Sequence, residues 1–330
     1  MTAVVDSPKF MKPDYYIYSV LMGILVMSCG APERVSVYHP SALTAAEREW
    51  NKVHALEDTG DYRGAAAQYA ALCNGKEQYP RACYSECRAL LEIPDIPTAL
   101  TCARDFLIKH PNYALAPSLV RKVANSFGSN SQYLEGADWL AGLLEAVRQT
   151  DVWDSIQFER ARLFREAGMT PLEEDALNHV VELGRWGSQL WDNALWRLIE
   201  IQHAYGNDQK EETLLLQMLS RKVESRLIAS YNSPYYDDAL FRLGALYRRR
   251  NELNKAYSAF WRLSTWDTSR LRDDALLQCA EIKRDTDEPQ KACSLLKRLI
   301  TEFAESSSVR KAKKLSDTWG CGQVADEENQ

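Results

Sequence analysis

The stretch "GDYRGAAAQYAAL", Gly60–Leu72, decides the fold of this chain. Gly60 is placed to end one helix, because glycine enters the left-handed conformation that closes a helix without a Cβ penalty. Ala65, Tyr69 and Leu72 then follow at i, i+4 and i+7, which puts them on one face of a second helix. Tyr62 packs at the start of that helix, and Ala65 is small enough to let two helices touch closely. The unit is therefore a helix, a tight turn and a second helix.

The same grammar recurs outward from this point. In "YYDDALFRLGALYRRRNELNKAYSAFWRL" (Tyr235–Leu263), Leu243, Gly244 and Tyr247 fill the first helix and Ala256, Phe260 and Leu263 the second. "DDALLQCAEIKRDTDEPQKACSLLKRL" (Asp273–Leu299) places Ala292 at the close contact. "PTALTCARDFLIKHPN" supplies Ala99, Ala103, Phe106 and a terminating Pro111, and "EGADWLAGLL" supplies Ala137 and Ala141. Ala65 to Ala99 spans 34 residues, Ala99 to Ala137 38, and Ala256 to Ala292 36. Two further units keep their first helices but lose the alanine, "WDSIQFERARLFREAG" (Trp153–Gly168) and "WDNALWRLIEIQHAYG" (Trp191–Gly206). The latter aligns with "YDDALFRLGALYRRRN", 45 residues on. A unit this short cannot bury its own apolar face, so stacked units share a core between neighbours. No run alternates with period two long enough for a sheet. The expectation for residues 44–315 is an all-α solenoid of about seven antiparallel helix pairs, with a bend or break near Arg185–Ser188 or across Arg221–Ser233.

These units resemble tetratricopeptide (TPR) repeats. The resemblance implies a right-handed superhelix whose first helices line a concave groove, with their fifth, ninth and twelfth positions turned inward. On that frame Phe158, Trp196 and Phe241 take the fifth position of three pairs. Arg162 and Glu200 take the ninth, and Arg165, His203 and Arg248 the twelfth, with Arg249 adjacent. Aromatic side chains flanked by arginines suit a peptide with apolar anchors and carboxylates. The same aromatics equally suit packing between pairs.

The N-terminal segment carries a second signal. Tyr15–Met27 holds no charge and follows Lys12; it is short for a membrane span of about 20 residues and right for the apolar region of a signal peptide. It ends Val26-Met27-Ser28-Cys29-Gly30, which resembles the lipobox of bacterial lipoproteins. That resemblance implies residues 1–28 as a cleaved signal, Cys29 as the lipidated residue and residues 29–43 as a tether. Translation from Met11 instead of Met1 leaves a shorter, basic-led signal. Gly30 lacks the Asp that marks inner-membrane retention, so the resemblance points to an outer membrane, with the chain facing the periplasm. Taken together, the two signals resemble the TPR lipoproteins of the bacterial envelope, of which the BamD-type component is the familiar member. That reading implies a scaffold for envelope proteins or peptides, attached to its membrane by lipid. Two alternatives stay open: a periplasmic accessory or degenerate enzyme of cell-wall metabolism that holds peptide or glycan, and a cytoplasmic TPR adaptor.

Charge and chemistry narrow the rest. The chain carries a net charge of −6, and the tail from residue 316 to 330 holds Asp317, Asp326, Glu327 and Glu328 without a Lys or Arg, reading as a solvated acidic end. A nearly neutral body gives a poor footprint for nucleic acid, which needs Lys and Arg facing phosphates. The five histidines are scattered, and no HExxH, GxSxG, phosphate-binding loop or dinucleotide fingerprint occurs. No catalytic residue, metal site or cofactor is expected. Among eight cysteines, Cys87 with Cys102 and Cys279 with Cys293 are placed to bridge within hairpins, and Cys73 to reach Cys83. They serve equally well as small buried hydrophobes.

Overall fold

The computed structural model describes residues 45–74, 80–183, 188–220 and 233–322. The signal segment, Cys29 and the tether expected before residue 44 lie outside the described residues, as do Arg185–Gly187 and Arg221–Asn232. The chain divides at Glu49, and the compact unit that carries the repeats begins at Trp50.

Fifteen α-helices and no strand occur among the described residues. They form seven pairs: α1 (Ala45–Asp58) with α2 (Tyr62–Cys73), α3 (Pro80–Leu90) with α4 (Ile96–Lys109), and α5 (Ala116–Ser129) with α6 (Tyr133–Ala141). The series continues as α7 (Trp153–Glu166) with α8 (Thr170–Glu182), α9 (Trp191–Ala204) with α10 (Asp208–Leu219), α11 (Tyr236–Arg249) with α12 (Leu253–Ser264), and α13 (Arg272–Asp285) with α14 (Pro289–Glu302). A closing helix, α15 (Ser308–Thr318), packs on α14 and α13.

Turn chemistry explains the regular hairpins. In six of the seven pairs the turn holds one left-handed residue: Gly60, Ser131, Gly168, Gly206, Asn251 or Asp287. The amide after it reaches back to a carbonyl in the last helical turn, as Asp61 N–H does to Leu56 O at 2.8 Å and Glu288 N–H to Lys283 O at 2.8 Å. These bonds satisfy carbonyls that the helix end would otherwise leave open. Three of the second helices start on short polar caps: Asp61 accepts from Gly64 N–H at 2.9 Å, Asp95 from Thr98 N–H at 3.4 Å, and Asn207 from Lys210 N–H at 3.3 Å.

The fourth residue of the second helix sets how closely the helices approach. Ala65, Ala99, Ala256 and Ala292 fill that slot and are fully buried. In α6 the slot belongs to Gly136, one residue before the expected Ala137; a Cβ there would stand 2.7 Å from Phe127. Gly244 plays the facing role in α11, where a Cβ would meet three ring atoms of Phe260 at 2.8 Å.

Burial follows the pairs. One core runs from Cys83 to Ile201 and a second from Trp191 to Ala312. They meet on α9, which gives Ala194, Leu198 and Ile201 to the first and Trp191, Leu195 and Ile199 to the second. The change of core therefore falls inside a helix. A serine ladder joins successive first helices: Ser188 donates to Asp154 at 2.5 Å and accepts from Leu190 N–H at 3.0 Å. Ser306 repeats the arrangement with Asp273 and with Ser308 N–H.

Two expectations are corrected by the structure. Cys293 bonds to Cys321 and not to Cys279, with Cα atoms 5.3 Å apart. Cys279 is a buried free thiol, and desolvation pushes it up to about 12. The pairing goes to Cys321 because the chain continues past the expected boundary at Leu315: α15 extends to Thr318, and Trp319 and Cys321 pack against the second core. Asp317 lies in α15, and Asp326, Glu327 and Glu328 lie outside the described residues. Cys73–Cys83 and Cys87–Cys102 complete the disulfides, with Cα separations of 4.8 and 5.3 Å, within the range a disulfide spans.

Candidate functional site

The first helices of the middle repeats carry the residues singled out in the sequence. Phe158, Arg162 and Arg165 of α7 and Trp196 and Glu200 of α9 line one cleft of about 200 Å³. Tyr235, just ahead of α11, closes it. The Trp196 and Tyr235 rings stack with centroids 5.2 Å apart and planes 4° apart, and the Arg242 guanidinium lies 5.4 Å from the Trp196 ring centre. Tyr235 donates to Asn193 Oδ1 at 2.6 Å, and burial first, then nearby carboxylates including Glu200, push its phenol above the ordinary value. Trp196 and Phe158 are half-buried: each packs its inner part on a core and leaves the rest at the cleft.

The remaining four candidates stand outside this cleft. Phe241 packs edge-on against Phe260, with ring centroids 5.2 Å apart. His203 Nδ1 lies 3.0 Å from Glu211. Arg248 donates to Gln278 and Glu281, both at 2.6 Å, and bridges α11 to α13. Arg249 donates to Asp208 at 2.6 Å and so ties α11 to α10. These groups hold neighbouring helices together. Within the cleft, Arg162 bonds Glu159 at 2.6 Å and Asn125 at 2.8 Å, whereas Arg165 is 45% exposed and lies 3.7 Å from Glu166.

Two glutamates that sequence reasoning missed underlie this region. Glu173 in α8 and Glu211 in α10 occupy the fourth-residue slot that alanine fills elsewhere, and they are 2% and 1% exposed. Each is met by the seventh residue of the next first helix. Arg197 donates to Glu173 at 2.6 and 3.3 Å, and Arg242 donates to Glu211 at 2.9 Å. The bond to Glu173, opposed by burial, holds Arg197 above its ordinary value. Arg197 also donates to Glu200 at 3.0 Å, linking the buried pair to the cleft. A buried carboxylate without such a partner would cost several kcal/mol, so glutamate here requires the arginine. The signal was available: Arg197 and Arg242 stand 45 residues apart in the aligned first helices. The alanine looked degenerate because a charged pair replaces it.

Among the described residues, no three His, Cys, Asp or Glu side chains gather as metal ligands would, and no helix is long and apolar enough to cross a membrane. Fold and cleft together define a helical-repeat protein with an aromatic and arginine-lined recess between its middle pairs. Solved structures with a similar fold include the C-terminal part of a TPR repeat-containing protein from Cytophaga hutchinsonii, 14% identical, covering 66% of this chain and 78% of that one with a TM-score of 0.42. A tetratricopeptide repeat protein from Parabacteroides merdae is 14% identical over 82% of this chain and 98% of its own, with a TM-score of 0.36. The Naa15/Naa10 structure bound to HypK-THB is 13% identical over 86% of this chain and 42% of that chain, with a TM-score of 0.44. No family model matches the sequence, and no curated protein matches it.

Proposed function

We propose that this chain is an exported docking scaffold that holds a protein or peptide partner at the cleft between α7 and α9. Its anchor is a lipid on Cys29, at the periplasmic side of a bacterial outer membrane. The observation that carries the docking role is the convergence of Phe158, Trp196, Arg162 and Arg165 on one recess, with Arg165 45% exposed. Aromatic and arginine side chains at a concave surface give a partner apolar anchors and charge-assisted bonds at low entropic cost. Export is supported by the cysteines: six of the seven beyond Cys29 stand in disulfides, which persist in oxidising compartments and not in a reducing cytosol. This favours the exported reading over a cytoplasmic adaptor.

A photo-crosslinking amino acid at position 165 tests the docking role in intact cells. Crosslinked partners that disappear with Trp196→Ala, while helicity is kept, support it. The same partners captured equally from position 310, on the last helix, would refute it. The anchor is tested by detergent partitioning: Cys29→Ala moves the chain to the aqueous phase, and an unchanged partition removes the lipid from the reading.

A further inference from the structure

The two disulfides of the N-terminal repeats share one arrangement. All four cysteines line a single cleft bounded by α2, α3 and α4. Cys83 and Cys87 stand one turn apart on α3 and are 7% and 1% exposed. Their partners, Cys73 at the end of α2 and Cys102 in α4, are half-buried. In each bond the more exposed cysteine, Cys73 or Cys102, is therefore the outer partner, and the buried one, Cys83 or Cys87, the inner. Lys109 also lines the cleft and gives an approaching thiolate a cation. Glu86 and Asp105 line the cleft beside it, and burial raises the Glu86 carboxyl above its ordinary value.

We propose that this cleft is a thiol–disulfide exchange site, at which a dithiol reduces Cys73–Cys83 and Cys87–Cys102 by attack on the outer sulfurs, Cys73 and Cys102. The thiolate of the incoming dithiol bonds to Cys73 Sγ, the Cys73–Cys83 bond breaks, and Cys83 leaves as a thiolate that takes up a proton. The second thiol of the dithiol then attacks its own mixed disulfide, closes its ring and releases Cys73. Two electrons and two protons pass from the dithiol to the cysteine pair. The bond between Cys87 and Cys102 follows the same course.

The structure also gives the consequence. Cys73–Cys83 is the covalent tie between the first helix pair and the second across their junction. The buried cluster that seats the first pair on the second is small, comprising Val53, Ala65, Ala66 and Tyr69 with Ala89 of α3. Among the described residues, Arg88 donating to Glu57 at 2.5 and 2.6 Å and Arg81 lying 4.3 Å over the Trp50 ring add links across the same junction. Reduction leaves the first pair to these contacts, so the site couples the N-terminal end of the solenoid to the thiol balance around it.

The test uses the oxidised full chain and glutathione, a monothiol whose first mixed disulfide marks the attacked sulfur when the quench precedes any further exchange. After acid quenching, alkylation and peptide mass mapping, the expected adducts are on Cys73 and Cys102, with Cys83 and Cys87 alkylated as free thiols. Helicity followed in the same samples stays native, and amide exchange in α2 rises about tenfold or more once Cys73–Cys83 is open. Adducts on Cys83 or Cys87 would overturn the proposal, as would adducts that form only when helicity is lost. Unchanged amide exchange in α2 would overturn the coupling to the first pair.

Discussion

Replacing Glu173 with alanine restores the residue that four other repeats use in the same slot, yet it is expected to destabilise the protein. Glu173 is 2% exposed and receives two bonds from Arg197, whose side chain is 30% exposed. Removing one partner of a buried ion pair costs about 3–5 kcal/mol, because the other charge is stranded. Arg197 keeps Glu200 at 3.0 Å and some contact with water, so the cost falls just below that range, at about 2–3 kcal/mol. That corresponds to at least about a 30-fold rise in local opening. In Glu173→Ala/Arg197→Met no charge is stranded, and the small slot matches that of Ala256. The double variant should lie within about 1 kcal/mol of the parent, a recovery of about 2 kcal/mol relative to Glu173→Ala alone. Repeat arrays lose cooperativity, so amide exchange read separately in α8 and α9 is the assay, with urea unfolding as a check. A single variant that costs less than about 0.5 kcal/mol, or a double variant no better than the single, would refute the idea that the pair acts as a unit.

Three other perturbations draw on the same contacts. Gly244→Ala forces a methyl against the Phe260 ring and should cost about 1–3 kcal/mol, seen as a lowered Tm that Gly244→Ala/Phe260→Leu partly restores. Cys279 should stay unreactive to a disulfide-exchange dye at pH 8 until the chain unfolds, since burial drives its thiol up to about 12 and Cys293 is occupied by Cys321. Hydrogen bonds from Lys283 and Lys291, at 2.6 and 2.5 Å, hold Glu288 at about 2. Its folded value lies below its unfolded one, so its contribution is present above the ordinary carboxylate range and is lost as pH falls toward about 2. A carbon-detected NMR titration should show that midpoint, and Lys283→Ala should move it upward.

Some of the candidate site was legible in the chain and some was not. Counting along aligned first helices placed Phe158 and Trp196 at one recess, because residues at equal phase on stacked helices face the same way. The same counting put Phe241 in series with them, but Phe260 on the facing helix captures its ring. Arg248 and Arg249 stood at groove phase as well. Carboxylates on α13 and α10 take their donors, and such pairs join residues 33 and 41 positions apart. Tyr235 precedes its helix, so no helical phase could assign it to the cleft.

What the sequence determined by itself is the repeat: small residues at a fixed slot, apolar residues at helical spacing, and Gly60, Gly168 and Gly206 at turns that require a left-handed backbone. These are local signals, set by periodicity and by conformations that most side chains avoid. The tertiary structure decided the partners. It paired Cys293 with Cys321, set Glu173 against Arg197, and drew Tyr235 onto Trp196, because each of those choices depends on the distance between helices that only stacking brings together.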